Sequence, residues 1–185
     1  LIEDFKEEIM AFNKHTNIIG QSTLKDFWTR HVLDSLQICT YITNKKKSIL
    51  DMGTGAGIPG VLLSIVGYSN ISLIDSNSKK ISFIHNVSHR LNIRPKIYLK
   101  RIENLKNIKF DFLISRALAN LCKLFFYSHY FLKKETVLIF LKGKNVKQEL
   151  EQAKTKWEFL CKIYQSKSDE RGSVLVIKNL KKRND

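Results

Sequence analysis

The stretch from Ser48 to Gly60, SILDMGTGAGIPG, constrains what this chain can fold into more than any other. An apolar run meets an acid at Asp51, glycines follow at alternate positions 53, 55 and 57, and Ile58, Pro59 and Gly60 lead into the helix-like VLLSIV. Glycine takes φ > 0 without strain and lets a ligand lie against bare backbone. Proline suits a first helical turn, and the unpartnered N–H groups that open the helix favour an electron-rich group. Strand, glycine turn and helix in that order open a nucleotide-type α/β sheet, whose ligands sit beyond the carboxyl ends of the strands. The stretch predicts a strand over 48–53, a helix from Pro59 to Val66, and a bound cofactor between them.

The alternation continues downstream. ISLID, 71–75, reads as a second strand closed by Asp75, about 20 residues past the glycine turn, where a carboxylate accepts from ribose hydroxyls. Ser78 is expected to cap a helix carrying Ile81, Ile84, Val87 and Leu91, broken by Pro95. KIYLKR makes a third strand ending in Ile102 and Glu103, and FDFLISRA, 110–117, a buried fourth ending in Ser115 and Arg116. A helix over 120–132, the strand TVLIFLKG, a charged helix over 145–157 and a hairpin of EFLCKIYQS with SVLVIKN around the turn SDERG complete the pattern.

Two helices precede the glycine turn. The first, Leu1 to Lys14, carries Leu1, Ile2, Phe5, Ile9 and Phe12 at helical spacing. The second, Thr23 to Ile42, sets Leu24, Trp28, Val32 and Leu36 in one stripe. Beside the stripe, the spacing brings His31 to Asp34 and Ser35, and Arg30 to Asp34. As isolated chemistry this is a helix-surface ion pair with a histidine beside it. A single domain over 1–185 is expected, with a helical cap at 1–44 and a cofactor-binding core at 48–180. Leu1 is not an initiator methionine, so residues upstream are expected.

Thirty-two lysines and arginines against 17 acids leave a formal charge of +15, gathered in clusters such as Lys45–Lys47, Lys79–Lys80, Lys142–Lys147 and Lys181–Arg183. Such a footprint suits a polyanion, RNA or DNA. No apolar run reaches membrane-spanning length, so no membrane partner is expected. Cys39, Cys122 and Cys161 are odd in number and lack C-x-x-C pairing, which fits a reduced, cytoplasmic protein. His85 and His89 stand four apart, but Asn86 occupies the place of the glutamate that H-E-x-x-H requires, and no third ligand is evident; no metal is expected.

The cofactor has two readings. Gly55, Gly57 and Gly60 satisfy the dinucleotide pattern G-x-G-x-x-G, which supports a nicotinamide-dependent dehydrogenase. Asp51 through Gly57 instead resembles motif I, acid-x-Gly-x-Gly-x-Gly, of the class I S-adenosylmethionine-dependent methyltransferases. A third reading is a non-catalytic RNA-binding protein with a vestigial cofactor fold.

Five blocks in order resemble one family, the glucose-inhibited division protein B family of bacterial small-subunit (16S) ribosomal RNA guanine-N(7) methyltransferases. They are NKHTNII from Asn13, RHVLDSL from Arg30, LDMGTGAGIPG, LIDSNSKKISFI, and ISRAL from Ile114 with LKG from Leu141. Ile18 and Ile19 depart from the family's Leu-Thr. The resemblance implies a mainly parallel seven-stranded sheet with an antiparallel terminal strand and a helical N-terminal extension. It implies S-adenosylmethionine as cofactor, held by Gly53, Gly55, Gly57, Ile58, Asp75, Ile102, Glu103 and Arg116. It also makes Arg30, His31 and Asp34 candidate walls of the substrate cleft, with no assigned catalytic role, and implies 16S ribosomal RNA or the small subunit as partner of a monomeric enzyme. Neither the (Asn/Asp/Ser)-Pro-Pro-aromatic pattern of amino-group methylation nor a nucleophilic cysteine beside proline follows strand four, where the chain reads SRALAN. Ring nitrogen 7 of guanine fits that absence, because its lone pair is free and needs no base.

Overall fold

The strand β1 (Ile49–Met52) is buried at all four positions, the mark of a parallel strand covered on both faces. A computed structural model, which describes residues 1–183, sets β2 (Ile71–Asp75) and β3 (Lys96–Leu99) on one side of it. On the other side lie β4 (Phe110–Arg116), β5 (Leu132–Lys142), β7 (Ser173–Lys182) and then β6 (Trp157–Gln165), giving the order β3-β2-β1-β4-β5-β7-β6. β1 to β5 are parallel, and β7 runs antiparallel to both β5 and β6. The sheet is thus the seven-stranded, mainly parallel one with an antiparallel terminal strand that the family resemblance implies. Chain direction through the sheet reverses between β1 and β4, and there the carboxyl ends open a crevice.

Apolar layers cover both faces. Phe5 and Ile9 of α1 (Ile2–Asn13), Val61 of α4 (Gly60–Ile65) and Phe83 and Ile84 of α5 (Ser78–Arg90) pack on one. Leu124 and Phe125 of α6 (Leu121–Ser128), Leu150 of α7 (Val146–Lys154) and Trp157 pack on the other. Each fully buried side chain of this kind contributes about 1.5–3 kcal/mol relative to an exposed one. The three cysteines are free.

The second expected helix is not continuous. The chain forms α2 (Gln21–Leu24), a π turn over Trp28–Leu33, a single α-helical turn α3 (Asp34–Leu36) and a 3₁₀ turn over Gln37–Tyr41. Thr29, Val32, Ile38, Thr40, Tyr41 and Ile42 are weak helix formers, and tertiary contacts to residues far along the chain set each turn instead. The π turn rotates Trp28 out of the expected apolar stripe to 46% exposure while burying Phe27 and His31. Two smaller differences follow local chemistry. Asn77, not Ser78, caps α5, its Oδ1 accepting from Lys79 N at 3.0 Å and Lys80 N at 3.2 Å. That helix stops at Arg90, short of Pro95, where Asn92 turns left-handed at φ 51°.

Candidate functional site

Behind β1, Gly53, Gly55 and Gly57 all have positive φ, 67°, 59° and 88°. The loop hangs on β2, with Gly53 N donating to Ile74 O at 2.9 Å and Gly55 N to Asp75 Oδ2 at 3.0 Å. Asp51 fixes it from below, its Oδ2 accepting from Thr54 Oγ1 at 2.6 Å and Gly60 N at 2.9 Å. A Cβ on Gly60 would stand 2.8 Å from that oxygen and collide with the Leu73 side chain, so a larger residue here would force Asp51 and Leu73 to shift. Burial pushes the Asp51 carboxyl up to about 7 against the pull of those two hydrogen bonds, and its Oδ1 is buried without a partner.

A cavity of about 110 Å³ beside the loop brings together Gly53, Asp75, Ile102 and Glu103, with Leu118 and Tyr127 opposite. Four of the expected cofactor residues therefore meet. Gly57 and Ile58 form the loop's underside: a Cβ on Gly57 would collide with Val61, and Ile58 is buried in the α4–α5 layer. Arg116 lies across the β4 end, facing the cap. These features fit S-adenosylmethionine. A Cβ on Gly55 would meet nothing nearer than Gly53 O at 3.9 Å, so bare backbone is open to a ligand there. The Asp75 oxygens each accept one backbone N–H, from Gly55 and Asn77, and keep capacity for hydroxyl donors.

The cap residues meet differently from their helical spacing. His31 approaches neither Asp34 nor Ser35, whose hydroxyl is buried without a partner, and Arg30 pairs with Asp169 at 3.2 Å instead of Asp34. Asp34 Oδ2 takes Arg116 Nε at 3.1 Å. Arg116 Nη2 donates to Arg30 O at 2.9 Å and to His31 Nδ1 at 3.1 Å. Because a guanidinium only donates, Nδ1 is the acceptor and the imidazole proton sits on Nε2, which donates to Thr23 Oγ1 at 2.9 Å; that hydroxyl donates onward to Gly20 O at 2.7 Å. Burial first, then the charges of Arg116 and Arg30, lower the His31 pKa to about 4. The histidine is neutral, with both nitrogens engaged.

Residues that the sequence reading did not single out complete the site. The turn between β6 and β7 reaches the cap, where Ser168 Oγ donates to Asp34 Oδ1 at 2.5 Å, Gln37 Nε2 to Ser166 Oγ at 3.1 Å and Lys167 N to Gln37 Oε1 at 2.9 Å. Cap, β4 end, β5 end and this turn enclose a second cleft of about 300 Å³. Lys142 braces its edge, donating to Ala119 O at 2.9 Å and Glu149 Oε2 at 2.7 Å. Between the two cavities Ala117 sits at φ 54°, a left-handed conformation that costs a non-glycine residue about 1–2 kcal/mol. That kink sends Arg116 toward one cavity and Leu118 toward the other. Asn13 of the first sequence block organises the loop below the cap, its Oδ1 accepting from Ile18 N at 2.8 Å and Ile19 N at 3.2 Å. A further cleft, about 600 Å³ between α1 and α5, shares no residue with these two, and His85 and His89 stand exposed on α5.

A glycine cradle at the switch point, an acid closing β2 and a 3-2-1-4-5-7-6 sheet define a class I S-adenosylmethionine-dependent methyltransferase. Solved structures share the fold. The PH0226 protein from Pyrococcus horikoshii aligns at a TM-score of 0.68 and 14% identity over 95% of this chain and 99% of that one. Magnesium protoporphyrin IX methyltransferase from Synechocystis, with bound SAM, aligns at 0.64 and 13% over 95% and 98%. The rRNA small subunit methyltransferase G family, GidB, matches residues 1–179, and the chain belongs to it. The ribosomal RNA small subunit methyltransferase G of Rickettsia prowazekii is 39% identical over 98% of this chain and 94% of its own length. That of Orientia tsutsugamushi strain Ikeda is 39% identical over 95% and 88%.

Proposed function

We propose that this methyltransferase modifies ring nitrogen 7 of a guanine in 16S ribosomal RNA, acting in the cytoplasm as a monomer. The observation that carries this reading is the placement of a cofactor cradle and a polar cleft on the two sides of one left-handed residue, Ala117, with the imidazole beside them engaged at both nitrogens. His31 is the imidazole of the site, and Arg116 and Thr23 occupy its two nitrogens. Guanine N7 carries a free lone pair and needs no base, so the residues present suffice. The excess of 15 positive charges supports a nucleic-acid partner.

When bound, S-adenosylmethionine supplies a methyl group activated by its sulfonium. The chain supplies position. Asp75 would accept from the ribose hydroxyls, the Ile102 backbone and Glu103 would read the adenine edge, and Gly53 would admit the methionine end. Arg116, with Nε and Nη2 committed to the cap, would reach an anionic group through Nη1. Asp34 and His31 hold that guanidinium still, and catalysis follows from in-line orientation and exclusion of water. Incubation with methyl-labelled cofactor and separated ribosomal RNAs tests the assignment. Label is expected in the small-subunit RNA, with no limb in the rate–pH profile that His31→Ala removes. Label in the large-subunit RNA alone would overturn it.

A further inference from the structure

The second cleft has two walls set by one carboxylate. Asp34 gives Oδ2 to Arg116 and Oδ1 to Ser168 and Gln37, the last at 3.0 Å. Asp34 therefore joins the β4 end to the β6–β7 turn, both of which line the cleft, and the cofactor cavity is lined by Leu118 on the other side of Ala117 in the chain. At about 300 Å³, the cleft is at the small end of ligand sites and suits a single extruded base, which is read through its Watson–Crick edge.

Guanine carries N7 on one side and the N1–H and 2-amino donors on the other. A base that offers N7 to the β4 wall turns those donors toward the β6–β7 turn. Asp34 and Asp169 are the carboxylates lining the cleft, and Asp34 is taken by donors from three residues. Asp169 keeps acceptor capacity: Oδ1 accepts from Arg171 N at 2.9 Å and faces Arg171 Nε at 3.5 Å, while Oδ2 accepts from Arg30 Nη1 at 3.2 Å. One site on Oδ2 is therefore open, and a second opens when the long, solvent-exposed Arg171 side-chain contact gives way. Its backbone is fixed, its carbonyl accepting from Gly172 N at 2.9 Å and Gln165 Nε2 at 3.2 Å. The hydrogen bond from Arg171 N, with the charges of Arg171 and Arg30, holds its carboxyl below the usual range and so ionised.

We propose that Asp169 is the specificity-determining residue, its carboxylate accepting from the N1–H and 2-amino group of the target guanine at the β6–β7 turn. This rests on the function proposed above. Arg30 is the counter-ion of Asp169 before the base enters. Adenine would present an acceptor at N1 and no 2-amino group, and the carboxylate rejects it.

The test uses small ribosomal subunits reconstituted with RNA carrying guanosine or inosine at the methylated position. Inosine keeps N7 and N1–H but lacks the 2-amino group. One hydrogen bond to a charged acceptor corresponds to a preference for guanosine of roughly tenfold to a hundredfold in kcat/KM for the wild type. Asp169→Ala and Asp169→Asn should bring that ratio close to one while S-adenosylmethionine affinity, measured by calorimetry on the same preparations, stays unchanged. Arg30→Ala should weaken RNA binding and keep the ratio. A ratio near one in the wild type, or an unchanged ratio in both Asp169 variants, overturns the inference with the proposed function intact. Failure of the wild type to methylate the guanosine substrate overturns the function itself.

Discussion

Asp51 and His31 are both buried, and burial moves their pKa values in opposite directions, so their pH effects on stability oppose one another. For Asp51, raised from 3.8 to about 7, the folded protein holds the proton more tightly, and stability falls as pH rises between those values. For His31, lowered from 6.5 to about 4, the unfolded chain binds the proton first, and stability falls as pH drops through that interval. Single variants separate them in thermal unfolding. Asp51→Asn should gain on the wild type as pH rises from about 4 to 7, and His31→Gln should gain as pH falls over nearly the same range; parallel curves would refute both assignments. Asp75 is proposed above to hold the cofactor ribose. Loss of a charged acceptor costs about 1.5–3 kcal/mol, so Asp75→Ala should weaken S-adenosylmethionine binding roughly tenfold to a hundredfold by calorimetry, and unchanged affinity would remove Asp75 from the site.

At the scale of elements, the short Lys142 bridge ties β5 to the segment after β4. Its Nζ is held by Ala119 O and by a Glu149 carboxylate that also accepts from Leu121 N at 2.7 Å. Breaking a mostly buried pair by removing one partner costs about 3 kcal/mol. Lys142→Met should lower urea stability by that order and slow methyl transfer, because Ala117 and Leu118 lose their brace; a stable variant with full turnover would show that the bridge is incidental. The same elements show what a sequence discloses. The β1 loop and the place of Asp75 at the end of β2 were legible because glycine spacing and a strand-ending acid act within a few residues. The cap was legible as helical and amphipathic but not as π and 3₁₀ turns, since its breaks answer to Arg116, Ser166 and Ser168, far along the chain. The same distance hid the role of the SDERG turn, which read as a hairpin end and is a wall of the cleft. Lys142 could have been singled out, since LKG stood in the family blocks, but nothing local links a lysine on β5 to Ala119.

Across the whole molecule the charge is the widest-ranging feature. Among the described residues no helix is long and apolar enough to cross a membrane, and the basic clusters are proposed to meet the phosphates of RNA. RNA affinity should fall linearly with salt on log–log axes as counterions are released, while cofactor affinity should hold nearly constant. An RNA affinity flat between low and physiological salt would make the charge compositional only. Two cavities divided by Ala117 are proposed to bring a methyl donor to a free ring nitrogen without a base. That proposal is tested most directly by recovering the methylated nucleoside from small-subunit RNA after one round of reaction. The expected product is 7-methylguanosine, marked by strand scission with borohydride and aniline at a single site. A methyl group on an exocyclic amine or a ribose oxygen would contradict it.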